Sequence, residues 1–207
     1  MIELLASRLG RNDEEPNIEL AEKLCGAGDK KGILEIARGL ESKEEAVVND
    51  CIKVLYEIGK RKPELISPFA GDFITALSGR NNRLVWGSMT ALAYIAPLKP
   101  DVLFSRLAEI IAAYKKGSVI TVDNSVSVFA ELCKAKADYS KKVFPFLLEH
   151  LQNCRAKEIP QHAERIAVCI DSSNKKIFIK TLDARAGELT KPQNDRIVKL
   201  KKKLDGA

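Results

Sequence analysis

The chain has 207 residues, of which 45% are hydrophobic and 30% charged, a composition that excludes a disordered chain and leaves ample length for a core, and at only 6% aromatic that core suits closely packed helices. Its formal net charge of +6 and pI of about 9.0 permit a nucleic-acid or acidic partner without requiring one. No apolar run approaches the roughly 18 residues of a membrane span, and Met1-Ile2-Glu3-Leu4-Leu5-Ala6 lacks the positive segment and long apolar stretch of a signal peptide.

In chain order, a weak helix is expected around Ile18 to Cys25, then a turn at Gly26-Ala27-Gly28, then a helix marked by Ile33, Ile36, Ala37 and Leu40. From there the chain repeats. A shift of about 37 residues aligns Val48 with Val85, Val122 and Ile159 without gaps. The same shift aligns Ile52 with Met89, Val126 and Ala163, then Leu55 with Leu92, Phe129 and Ile166, then Ile58 with Ile95, Leu132 and Cys169. Within a copy the spacings are 4, 3 and 3, which place the four positions on one face of an α-helix, helix A of each copy. Helix A stops at Gly59-Lys60-Arg61-Lys62-Pro63 in one copy and at Pro97-Leu98-Lys99-Pro100 in the next, because proline lacks an N–H and restrains the residue before it. Polar turns carry the later breaks.

A second helix, B, follows each break. Its registers are Ile66, Leu103 and Ile177; Ala70, Leu107 and Phe144; Phe73, Ile110 and Leu147; and Ile74, Ile111 and Leu148, with Arg185 in the last place of that row. The reading is an all-α chain forming a single domain over residues 1–207. About five helical hairpins are expected, near 1–42, 43–80, 81–117, 118–155 and 156–191, with a capping helix over 194–204. One hairpin cannot cover its own apolar face, so stacked hairpins are expected to bury a continuous core.

The segment Arg83-Leu84-Val85-Trp86-Gly87-Ser88-Met89-Thr90-Ala91-Leu92-Ala93-Tyr94-Ile95-Ala96 and the looser match Asn49 to Gly59 resemble the first helix of a HEAT unit. The chain is thus similar to the HEAT/armadillo superfamily of helical repeats over roughly Glu44 to Leu189. That resemblance implies an α-solenoid whose B helices line one face and whose usual work is scaffolding, with nucleic-acid binding in a minority of relatives.

Catalysis needs converging groups with tuned pKa values, and no such set is read in the sequence. Cys25, Cys51, Cys133, Cys154 and Cys169 lie far apart with no CxxC, which argues against a disulfide framework or thiolate zinc site and for a reducing cytoplasm. No His/Cys/Asp/Glu cluster has metal spacing and no Gly-rich run has phosphate-loop form, so neither cofactor nor metal is expected. His162 takes the register of Cys51, Ser88 and Ser125, a small, semi-buried slot on helix A, while His150 takes that of Ala76 and Ala113 and is read as facing outward.

A protein partner is the leading expectation, with nucleic acid as the alternative and no membrane. Outward B positions form the rows Asp72, Glu109, Phe146 and Asp183, and Thr75, Ala112, Glu149 and Ala186. Partner contacts are expected at Trp86, Asp72, Glu109, Phe146, Glu149 and His150. Phe146 is an aromatic where other copies carry acids, either an exposed anchor or buried by a rotated helix. Trp86 shares its register with Asn49, Asp123 and Pro160 and either faces solvent or lies over a neighbouring ridge. Charge is uneven: residues 1–42 hold six basic against nine acidic residues, and residues 156–207 twelve against seven. Lys175, Lys176, Lys180, Arg196, Lys199, Lys201, Lys202 and Lys203 are candidates for phosphate or acidic-protein contact. No aromatics interleave them, so base stacking is not expected.

Overall fold

The computed structural model describes residues 1–206. It is helical, with no strand among those residues, and no described helix is long and apolar enough to cross a membrane. Its contacts divide into two compact units, one of residues 1–125 and one from Val126 onward.

The first unit holds α1 (Glu15–Ala27), α2 (Lys30–Arg38), α3 (Glu45–Arg61), α4 (Pro63–Ile66), α5 (Ala70–Ala76), α6 (Asn82–Ile95), α7 (Pro100–Ser105), α8 (Leu107–Lys116) and the start of α9 (Val119–Ala135). Helix α3 packs against both α1 and α6. With neighbours on two flanks it is buried continuously from Cys51 to Gly59. The α3–α6 approach is close because Gly87 has no side chain: a Cβ there would stand 2.6 Å from Ile52. Helix α1 ends where Gly28 adopts a left-handed φ of 60°, a conformation that costs glycine nothing. Asn81 starts α6 by accepting the N–H groups of Arg83 and Leu84 at 2.9 and 3.1 Å. A polar staple ties the N-terminal segment down. The fully buried Asn17 accepts from the Ala6 N–H at 3.0 Å and donates to Asp50 at 2.7 Å, and Asp50 accepts from the Ser7 N–H at 2.8 Å.

The stretches expected as helix B of the second and third copies are each broken in two, where the sequence periodicity alone predicts one helix. Between α4 and α5 the chain takes a 3₁₀ turn over Ser67–Phe69, since Pro68 has no N–H to continue the ladder. Between α7 and α8 the break falls at Arg106 (φ −114°, ψ 26°), whose guanidinium donates to Gly71 O at 3.0 Å and pairs with Glu109 at 2.5 Å.

The second unit takes the remainder of α9, then α10 (Ala137–Asn153), α11 (Ile159–Ile166), α12 (Lys175–Ala184) and α13 (Lys191–Asp205). Helix α10 packs on α11 and α12, and α11 packs on α13. The core includes Phe129, Leu132, Leu147, Leu151, Ile166, Phe178 and Leu182. Arg185, the charged residue that interrupts an apolar register, has a structural task. Its guanidinium donates to the carbonyls of Leu151, Gln152 and Cys154 at 2.8, 2.8 and 2.9 Å, satisfying acceptors that the end of α10 leaves open. Helix α13 begins three residues before the expected 194 because Thr190 caps it, its N–H donating to Gln193 Oε1 at 2.8 Å.

Candidate functional site

Helix α13 is laid beside α11 by the burial of Ile197 and Leu200. Between them runs an open groove of about 460 Å³, whose walls include Ala167, Val168, Ile170, Leu200 and Leu204 and whose rim carries Glu164, Arg196, Lys199 and Lys203. Val168 is 45% exposed. Arg196, Lys199 and Lys203 fall three and four residues apart, so they share one side of α13. Arg196 is held by Glu164 at 2.6 Å. Lys199 and Lys203 are exposed and make no ion pair among the described residues.

The basic residues expected to act together therefore divide. Lys175 pairs with Asp205 at 2.8 Å and donates to Leu204 O at 2.6 Å, and Lys201 pairs with Asp183, so both hold α12 and α13 together. Lys176 and Lys180 are exposed on α12, and Lys202 is exposed on α13 outside the groove lining.

Asp72 and Glu109 are exposed, as their register predicts. Each lines a smaller hollow of the first unit: Asp72 one of about 290 Å³ with Thr75, Leu34 and Leu84, and Glu109 one of about 400 Å³ with Ala112 and Val85. The hydrogen bond from Arg106 holds the Glu109 carboxyl below its ordinary range. Glu149 is exposed on α10.

The aromatic candidates are less open. Phe146 is half-buried, its ring edge-on to Phe129 at 5.2 Å, so the free aromatic anchor is replaced by a packed pair. Trp86 is half-buried against Tyr56 at 5.7 Å, with Arg83 5.8 Å from its ring. It borders a charged network that the sequence reading missed. Lys53 reaches Glu57 at 2.9 Å and Glu14 at 3.0 Å, Arg61 reaches Glu57 at 2.5 Å and Glu22 at 2.6 Å, and Arg83 pairs with Glu14. Burial disfavours the Lys53 ammonium, yet its bonds to Glu57, Glu14 and Tyr56 outweigh that and hold its pKa above the usual value. Glu57 is likewise penalised by burial but held below its ordinary value by Lys53 and Arg61.

The reading of His150 as outward-facing is corrected: it is 6% exposed, and His162 is fully buried rather than semi-buried. Helix α10 turns this face onto α11, where the slot held by small residues in other copies carries an imidazole. His150 Nε2 and His162 Nδ1 stand 2.7 Å apart. The half-buried Cys154 completes a group whose three ligating atoms all lie within 4.8 Å of one another, a juxtaposition that sequence inspection passed over. The trace was there: His150 and Cys154 are one helical turn apart, and His162 follows in the first turn of the next helix. Burial pushes the Cys154 thiol up to about 11, with Arg185 opposing. Cys25, Cys51, Cys133 and Cys169 are buried free thiols. Cys169, hydrogen-bonded to Cys133 and buried, is pushed well above its ordinary value.

No protein-family description and no curated protein matches this chain. It is similar to the crystal structure of an engineered protein from the Northeast Structural Genomics Consortium, with a TM-score of 0.62 and 15% identity over 97% of this chain and 93% of that one. At that identity the likeness is one of fold.

Proposed function

We propose that the chain is a HEAT-like stack of about five helical hairpins that works as a non-catalytic, cytoplasmic scaffold. In this reading the groove between α11 and α13 takes an acidic, amphipathic segment of a protein partner. The repeat is supported by burial. The registers of Ile52, Leu55 and Ile58, of Met89, Leu92 and Ile95, and of Val126, Phe129 and Leu132 are all at zero exposure. The observation that carries the binding reading is an apolar groove with Lys199 and Lys203 on its rim, both exposed and without an ion pair among the described residues. An amphipathic helix laid there would bury its apolar stripe and set its acids against those ammonium groups. Phosphates would use the lysines and leave the apolar wall idle, so the chemistry favours protein over nucleic acid.

The test is fluorescence anisotropy with a labelled acidic amphipathic peptide and, in parallel, single- and double-stranded oligonucleotides, at low and physiological salt. The peptide is expected to bind at physiological salt, to weaken at least about tenfold when Lys199 and Lys203 are both changed to Glu, and to be lost on Val168→Asp, an exposed change that spares the core. Oligonucleotide binding that persists at physiological salt while the peptide fails, or peptide binding indifferent to Val168→Asp, would overturn the proposal.

A further inference from the structure

The group formed by His150, Cys154 and His162 lies outside the groove and has no part in peptide binding. Two imidazoles and a thiol are the donors that borderline transition metals select over magnesium or calcium. In tetrahedral zinc sites, metal–nitrogen bonds of about 2.0–2.1 Å and metal–sulfur bonds of about 2.3 Å set the donors roughly 3.3–3.6 Å apart. Here the two nitrogens stand 2.7 Å apart and no pair of donors exceeds 4.8 Å. A shift of about an ångström at side-chain ends would bring all three onto one ion.

The surroundings favour such a site. Leu151, Ile159 and Ala163, next to the ligand positions in the chain, are fully buried and apolar. The chain between Cys154 and His162 is short and tied by Arg155, whose Nε donates to Glu158 at 2.9 Å. Arg185 fixes the carbonyls of Leu151, Gln152 and Cys154, so the backbone carrying the thiol is held before any ion arrives. Supporting contacts of this kind set ligand orientation in metal sites.

We propose that His150 Nε2, His162 Nδ1 and Cys154 Sγ bind a divalent transition metal, zinc foremost, with water in the fourth position. On binding, the Cys154 S–H bond breaks, its proton passes to solvent and a sulfur–metal bond forms. The proton shared in the His150–His162 hydrogen bond leaves the facing nitrogens. The ring that carried it becomes the other tautomer, and both lone pairs turn to the metal.

The test uses the untagged full chain, treated with chelator and titrated with Co²⁺ and then Zn²⁺ at neutral pH. One equivalent of Co²⁺ is expected to give visible bands of a tetrahedral centre and a near-ultraviolet thiolate-to-metal charge-transfer band, both displaced by Zn²⁺. Cys154→Ser should remove the charge-transfer band. His162→Asn should weaken binding at least about tenfold. Circular dichroism checks that each variant keeps its helix content. If His162→Asn unfolds, Cys154→Ser decides, since Cys154 is only half-buried at the end of α10. Absence of any cobalt spectrum at micromolar metal, or an unchanged spectrum in Cys154→Ser, would overturn the proposal.

Discussion

Asn17 shows how much one buried amide can hold. Its carbonyl and its NH₂ group satisfy the buried Ala6 N–H and the half-buried Asp50 carboxylate. Asn17→Ala leaves both short of a bond, and a buried polar group so stranded costs about 1–3 kcal/mol. The expected outcome is a loss of about 2 kcal/mol, read as a lower urea midpoint with an unchanged slope. A midpoint within error of the parent would mean that the N-terminal segment contributes nothing to stability. This pairing was not legible in the sequence, because an asparagine in a helix pattern reads as surface and its partners lie 11 and 33 residues away. The same blindness hid His150 against His162, whose contact depends on how two helices are rotated rather than on spacing within either.

At the scale of the element, the apolar registers were legible. The faces of α3, α6 and α9 begin from Val48, Val85 and Val122 and continue four, three and three residues on, because burial on one side of a helix leaves that period in the chain. The break at Arg106 was not legible. A long basic side chain that bonds to the carbonyl of Gly71 leaves no mark in the pattern. Nor was the charged strip on α3, whose acids and bases come from α1, α3 and α6. That strip has a pH signature. Glu57 is held below its ordinary value of 4.5, so its contribution is present above that pH and disappears as pH falls through the lowered folded value. Lys53 is held above its ordinary value of 10.5, so its contribution is present below that pH and disappears as pH rises through the raised one. Stability should be flat near neutrality and fall in acid. Glu57→Gln should cost about 2 kcal/mol at neutral pH, the scale of hydrogen bonds to charged groups, and the gap to the parent should narrow in acid. Urea midpoints across that range measure it, and a gap of constant width would remove Glu57 from the account of acid sensitivity.

For the whole molecule, the all-helical fold followed from low aromatic content, the about 37-residue period and proline-marked stops, while which helices end as interaction surface depended on ion pairs that composition cannot assign. Lys175 and Lys201 looked equivalent to Lys199 and Lys203, yet the first two bind α12 to α13 and the last two stay open. One further consequence concerns the thiols. Four of them are buried at distinct stations along the chain, Cys25 in α1, Cys51 in α3, Cys133 in α9 and Cys169 just past α11, while Cys154 alone is half-buried. An alkylating reagent in native buffer should modify Cys154 first, and Zn²⁺ should slow that step. The other four should react only as fast as their surroundings open. Peptide-resolved mass spectrometry of the labelling time course would then give an opening rate for each station. The unaltered chain thus carries its own stopwatch, with four dials that need no engineered probe.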